Sequence, residues 1–426
     1  MRSATALSAL ALGATAALAL SACSGGGAAT EDEEFELRMT VWTSNEDHLA
    51  LFDSIADAYL EDHPEVTDIT FDPLPFEDYT STVTTQIAGG QAPDLAWILE
   101  NAAPDFVDSG ALLPLDETLE ADPDYGFDDL SESATALWHD GDGALVAYPF
   151  STSPFVMFAN DSLLAEAGLP TAAEMQAAGD WNWEGVSAAG STVNAETGKA
   201  GFVIRDFDYT TWDNLASVWM GWGAAPWSAD GATCTFDSPE MVEAFEFLHD
   251  AAFDSMSMPG PGTTADFFAG ESAFTVTQIS RASLLDGSFE FDLLSLPEGP
   301  VGEYSMVGQA GIGVMSSGAH AQAAAEFLAF FTSPENSAQL AQFFPPPRNS
   351  QLNVETLAAT NPTLTPEQIE NVVIPGIEIG VTRPSHTDSA EIGQEVRSSL
   401  DALWVEDADI AGTLAATCTA IDPLLG

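Results

Sequence analysis

Leu37-Arg38-Met39-Thr40-Val41-Trp42, followed by Thr43-Ser44-Asn45-Glu46-Asp47, sets the pattern that the rest of the chain repeats. The first six residues read as a strand and the next five as a polar turn. Phe52, Ile55, Ala56, Tyr59 and Leu60 then recur at helical spacing until Pro64 closes the segment. A second short run, Asp68 to Phe71, leads to a helix with Tyr79, Val83 and Ile87 on one stripe and Gly89-Gly90 at its end. Ala92-Pro93-Asp94 opens a third apolar run, Leu95 to Leu99. Strand, helix, strand, helix, strand predicts an α/β fold with parallel strands joined by crossovers.

Farther on, Trp138 to Phe150 reads as a hairpin around Asp140-Gly141-Asp142-Gly143, and it passes into Ser151-Thr152-Ser153-Pro154. That cluster is a candidate crossing between domains, and Phe343-Phe344-Pro345-Pro346-Pro347-Arg348 is another. Ser238-Pro239-Glu240 and Ser333-Pro334-Glu335 carry the chemistry of helix starts, with Ser to cap orphan amides and Pro in the first turn. Ala273 to Ile279 reads as a buried strand. Val307 to Val314 reads as a Gly-rich strand, where glycines mark close approach of a backbone or a ligand.

The 426 residues exceed the size at which one core stops growing, so two domains are expected. Arg2, an apolar run from Ala4 to Leu20 and Leu20-Ser21-Ala22-Cys23 match an export signal over residues 1–22, with Cys23 placed for lipidation. Residues 23–36 then read as a flexible acidic tether. The remaining Cys234 and Cys418 favour one disulfide in an oxidising compartment, the alternative being two buried thiols.

Sixty-seven Asp and Glu face eight Lys and Arg, for a formal net charge of −59. Such a surface repels phosphate backbones and anionic lipid heads, which excludes nucleic acid and polybasic-type membrane binding. Disorder is excluded as well, because 46% of the residues are hydrophobic and 25 are Phe. Self-repulsion of this size suits a salt-rich medium.

No HExxH, His-Cys cluster, GxSxG, Walker A or strand-linked GxGxxG is present, so neither catalytic residues nor a metal or cofactor are expected. What stands out is aromatic residues beside polar ones in loop positions. Trp97 with Glu100 ends the third strand, Tyr209 and Trp212 precede further tryptophans, Gln278 and Arg281 flank a strand end, and Gln309 sits inside the Gly-rich strand. Rings cover the C–H faces of a sugar while carboxylate, amide and guanidinium groups pair with its hydroxyls.

On the Leu20–Cys23 motif, the Met39–Trp42 start, Gly89 to Leu95, Tyr148-Pro149 through Asn160, Ala273 to Ile279 and Gly308 to Val314, the chain resembles the extracellular solute-binding lipoproteins of ABC importers, in their maltose-binding-like group. The resemblance implies a two-lobed periplasmic-binding-protein-like fold with mixed, mostly parallel sheets, a hinge of crossing segments and a ligand cleft between lobes. Lobe I would be 37–150 plus 304–344, and lobe II 151–303 plus 345–426. Carried onto this chain, the cleft would be lined by Asn45, Glu46 and Asp47, by Trp97 and Glu100, by Ser151 and Ser153, and by Tyr209 and Trp212. Where relatives often have an aromatic after the Ala273 strand, this chain has Ser280 and Arg281, which admits a ligand with an acidic group held by Arg281 and Arg348. The implied protein is a monomer, anchored by its lipid to the outer face of the cell membrane, that carries a carbohydrate-like small molecule to ABC importer permease subunits. An extracellular carbohydrate-active enzyme and a ligand-binding sensor subunit are the alternative readings.

Overall fold

The computed structural model describes residues 34–205, 209 and 211–425. Cys23 and the signal segment 1–22 lie outside them. Phe35 and Glu36, read from sequence as the end of the tether, already belong to the first strand, β1 (Phe35–Val41). β1 pairs in parallel with β2 (Val66–Pro73) on one side and β3 (Leu95–Leu99) on the other. The connecting helices are Glu46–Leu60 and Tyr79–Ala88, and both bury the stripes expected of them.

The centre of the molecule is β4 (Ala147–Asn160), all fourteen residues of which are buried. The hairpin expected before it is reduced to a single His139–Leu145 bridge, because Asp140 folds the turn on itself by accepting from the amides of Asp142 and Ala144. The first half of β4 runs antiparallel to β8 (Met306–Val314), and its second half runs antiparallel to β6 (Ser272–Gln278) and β7 (Phe291–Leu294). β5 (Ala200–Ile204) adds in parallel to β6, and β9 (Val381–Thr382) adds in parallel to β8. The register of β4 shifts between Pro149 and Ser151, where a proline can sit without breaking a ladder bond.

The path through the sheet is therefore β2-β1-β3-β8-β4-β6-β5. The ladders β1–β2, β1–β3, β5–β6 and β8–β9 are parallel, while β3–β8, β4–β6, β4–β7 and β4–β8 are antiparallel. The parallel share is smaller than expected, because the strands that thread the middle return antiparallel to their neighbours.

The fold is two-lobed, and its apolar cores divide along β4 and β8. One core draws on Leu37 to Phe150 and Ala310 to Phe344, and the other on Phe155 to Met306 and Ile392 to Leu425. A third cluster packs Val156 and Phe158 of β4 against residues 357–377. Gly311 shows why the Gly-rich strand is needed, since a Cβ there would stand 2.8 Å from the Trp138 ring. Residues 345–351 fasten to the first lobe, with the Ser131 amide donating to the Pro347 carbonyl at 2.8 Å and the Ser350 amide to Asp129 at 2.9 Å. Beside them, the Thr152 amide and hydroxyl donate to the Pro345 carbonyl, so Ser151–Pro154 runs alongside Phe343–Arg348, which packs with the first lobe and does not cross between lobes as expected.

The helix starts follow their capping chemistry. Ser238 accepts from the Met241 amide and Ser333 from the Asn336 amide, each with Pro in the first turn. Cys234 and Cys418 are joined in a disulfide that fastens the helix Ile410–Ile421 to the second lobe. No described helix is long and apolar enough to cross a membrane.

Candidate functional site

Parallel strands place their carboxyl ends side by side, and loops at such ends build the binding crevices of α/β proteins. In the first lobe these ends deliver Trp42, just past β1, and Leu99 with Glu100 at the end of β3. In the second lobe Ile204 pairs with Val276, so Arg205 and the Gln278–Arg281 segment emerge together. Between the two sets run Ser151 and Ser153 of β4, opposite Ala310 and Gly308 of β8.

These groups enclose a cavity of about 120 Å³. Its apolar walls are the rings of Trp42, Phe76 and Phe344, and its polar walls are Glu100, Ser151, Ser153, Gln278, Ser280 and Gln309. Arg205, Arg281 and Arg383 complete it. The Gln309 amide donates to the Ser133 carbonyl at 3.1 Å, which fixes its orientation and leaves its buried Oε1 without a donor among the described residues.

Arg383 follows β9 and reaches across both lobes. Its Nε donates to Glu100 of the first lobe, and its Nη1 donates to Asn214 of the second at 2.9 Å with Asp213 at 3.5 Å. Arg383 and Glu100 are 4% and 1% exposed, so this is a buried ion network. Burial works against the charged guanidinium, but Glu100 and Asp213 more than offset it and hold Arg383 above its ordinary value. A second contact between the lobes lies nearby, where Asp105 accepts from the Asp388 amide at 2.8 Å and the Ser389 hydroxyl at 3.2 Å, at the start of the helix Ser389–Leu400.

Of the residues expected to bind, Glu100, Ser151, Ser153, Gln278, Arg281 and Gln309 come together in the cavity. Others do not line it. Asn45 caps the helix Glu46–Leu60 by accepting from the Asp47 and His48 amides, and exposed Glu46 and Asp47 complement its dipole. Trp97 is a core residue, 1% exposed, with its ring against Phe52, Phe150 and Phe344. Trp42, packed edge-on to Trp97 at 4.6 Å, is the tryptophan that reaches the cavity. Trp212 is likewise core, among Trp219, Trp227 and Phe236, and Tyr209 lies against Trp404.

Arg348 must also be corrected. It is fully buried in the first lobe, donating to the carbonyls of Tyr125, Gly126 and Thr332 and lying 4.5 Å over the Tyr125 ring. It is a structural clamp, and the cations beside Arg281 are Arg205 and Arg383. Sequence reading missed these two along with Trp42, Phe76 and Phe344 as lining groups. Their signal was rarity: arginine is scarce enough in this chain that each one merits a reason.

The profile of the bacterial extracellular solute-binding proteins matches residues 54–366. A candidate binding protein of Brucella abortus is 23% identical over 277 residues, 63% of this chain and 64% of that relative's length. The cyclic α-maltosyl-1,6-maltose binding protein of Arthrobacter globiformis superposes with a TM-score of 0.73 at 23% identity, covering 92% of this chain and 99% of its own. An ABC substrate-binding protein of Listeria monocytogenes in complex with cycloalternan gives 0.79 at 23% identity with the same coverage.

Proposed function

The chain belongs to the bacterial extracellular solute-binding proteins, and from that premise we propose that it captures a sugar, oligosaccharide or glycoside between its lobes and delivers it to an ABC importer. The observation that carries this reading is the cavity itself, at the strand ends of both lobes, with three aromatic rings set against hydroxyl, amide and carboxylate groups. The Arthrobacter protein that binds cyclic α-maltosyl-1,6-maltose and the Listeria protein in complex with cycloalternan share this fold and support the reading.

At about 120 Å³ the cavity is well below the roughly 300–1,000 Å³ of small-molecule sites. Oligosaccharide entry therefore requires the lobes to part along the crossings at 151–154, 306–308 and 351–352, with closure stabilised because contacts from both lobes form only when shut. We take lobe I as 37–150 with 309–351, the fastening of 345–351 arguing for the later boundary and Met306 packing in the other core for the earlier one, and the rest of 151–426 as lobe II. The family is exported, and the Cys234–Cys418 disulfide suits that compartment. Lipidation at Cys23 would then hold a monomer close to its permease subunits and raise its effective concentration there.

Thermal unfolding of the purified protein with mono-, di- and cyclic oligosaccharides tests the reading. A ligand at about 100 times its Kd adds about 2.7 kcal/mol, expected as a rise of several degrees in the unfolding midpoint without release of product. No shift across the panel would contradict it.

A further inference from the structure

Neutral sugars need no cation, yet three arginines line this cavity. Beyond Arg2 the sequence holds six arginines and one lysine against 67 carboxylates. Arg38 pairs with Asp72 at the surface, Arg348 clamps carbonyls and Arg397 lies in the helix Ser389–Leu400. Arg205, Arg281 and Arg383 all stand around one small space.

Their placement is built. Arg205 has φ +48°, a left-handed conformation that is strained for a non-glycine residue, and its amide is held by the Val276 carbonyl at 2.8 Å. Its guanidinium lies 5.3 Å over Phe76 of the opposite lobe, and that of Arg281 lies 5.0 Å over Phe268. Both make further contacts of their own. A guanidinium has five donors, however, and can hold one partner while offering another edge to an anion. Arg383 spends Nε and Nη1 on protein groups and leaves Nη2 without a protein acceptor among the described residues.

Glu100 is the one carboxylate among the described residues that line the cavity, and Arg383 faces it directly. Ser151 and Ser280 add neutral hydroxyl-bearing side chains to the same lining. The acidic exterior does not cancel this local charge, since at 0.15 M salt exposed charges are screened beyond about 8 Å while enclosed contacts are not.

We propose that the ligand is a glycan or polyol bearing one anionic group, a carboxylate or a phosphate ester, which Arg205 and Arg281 engage while the rings and amides hold the hydroxylated part. This rests on the carbohydrate reading above and narrows it. Charge-assisted bonds of this kind are worth about 1.5–3 kcal/mol, or roughly a 10- to 150-fold preference over the neutral counterpart.

Calorimetric titration of the purified protein with glucose, glucuronate and glucose 6-phosphate, and with maltose, its uronic acid form and maltose phosphate, tests the proposal. The expected result is that an acidic member binds at least tenfold tighter than its neutral counterpart. The uronate and phosphate arms then say which anion is read. Arg281→Gln, checked for an unchanged unfolding midpoint, should erase the preference and Arg281→Lys should restore part of it. A neutral sugar binding as tightly as its acidic forms would overturn the inference and leave the carbohydrate reading standing. If thermal shifts on the wider neutral panel are also absent, both fail together.

Discussion

Replacing Arg383 by Met is expected to destabilise the folded chain by about 3–5 kcal/mol, because it strands Glu100 and Asp213 in the interior without their counter-charge. Met keeps much of the apolar contact with Phe155, whose ring lies 5.9 Å from the guanidinium, so the loss reports charge more than packing. Adding Glu100→Gln to Arg383→Met should recover a substantial part of the loss at pH 7, the sign of direct coupling in a double-mutant cycle. Denaturant unfolding of the four proteins checks this. A single variant within about 1 kcal/mol of the parent, or an additive cycle, would show that the network does not hold the lobes.

Removing the Cys234–Cys418 bridge is expected to have an effect of similar size. The two cysteines are 184 positions apart, and closing such a loop removes roughly 5 kcal/mol worth of entropy from the unfolded chain, with about 2–5 kcal/mol expected in practice. The native side of the balance is well supported. The Cys234 amide donates to Asp422 at 3.0 Å, and Leu414, Cys418 and Ile421 are buried in the second core. Cys234→Ser with Cys418→Ser, or reduction of the parent, should therefore lower the unfolding midpoint by several degrees and expose the helix Ile410–Ile421 to protease first. Melting within a degree of the parent would mean that packing alone secures the C-terminal helix.

The alternation of strand and helix before residue 100 was legible because each element carries its own periodicity and punctuation. Gly90 with φ +68° and the Ser238 and Ser333 caps act locally, so local sequence reveals them. The cleft-facing rings were harder to find. β3 is buried on both faces, so no alternation separates Trp97, which points into the core, from Trp42, which stands at a strand end. Asn45-Glu46-Asp47 was open to a plainer reading as an N-cap with acids in the first turn, and that is how it is used. Arg348 and Arg383 both adjoin prolines in a chain with few cations. Which one meets carbonyls and which meets Glu100 depends on contacts more than 200 residues apart, to Tyr125 in one case and to Glu100, 283 positions away, in the other. No local pattern encodes that choice.

The central claim is that one solute is gripped at the strand ends of both lobes at once. Hydrogen–deuterium exchange of the purified protein, with and without a saturating amount of the tightest-binding glycan, tests it most directly. Protection is predicted together at 99–101, 151–154, 204–205, 278–281 and 307–310. Protection confined to one lobe, or lying outside these segments, would contradict it.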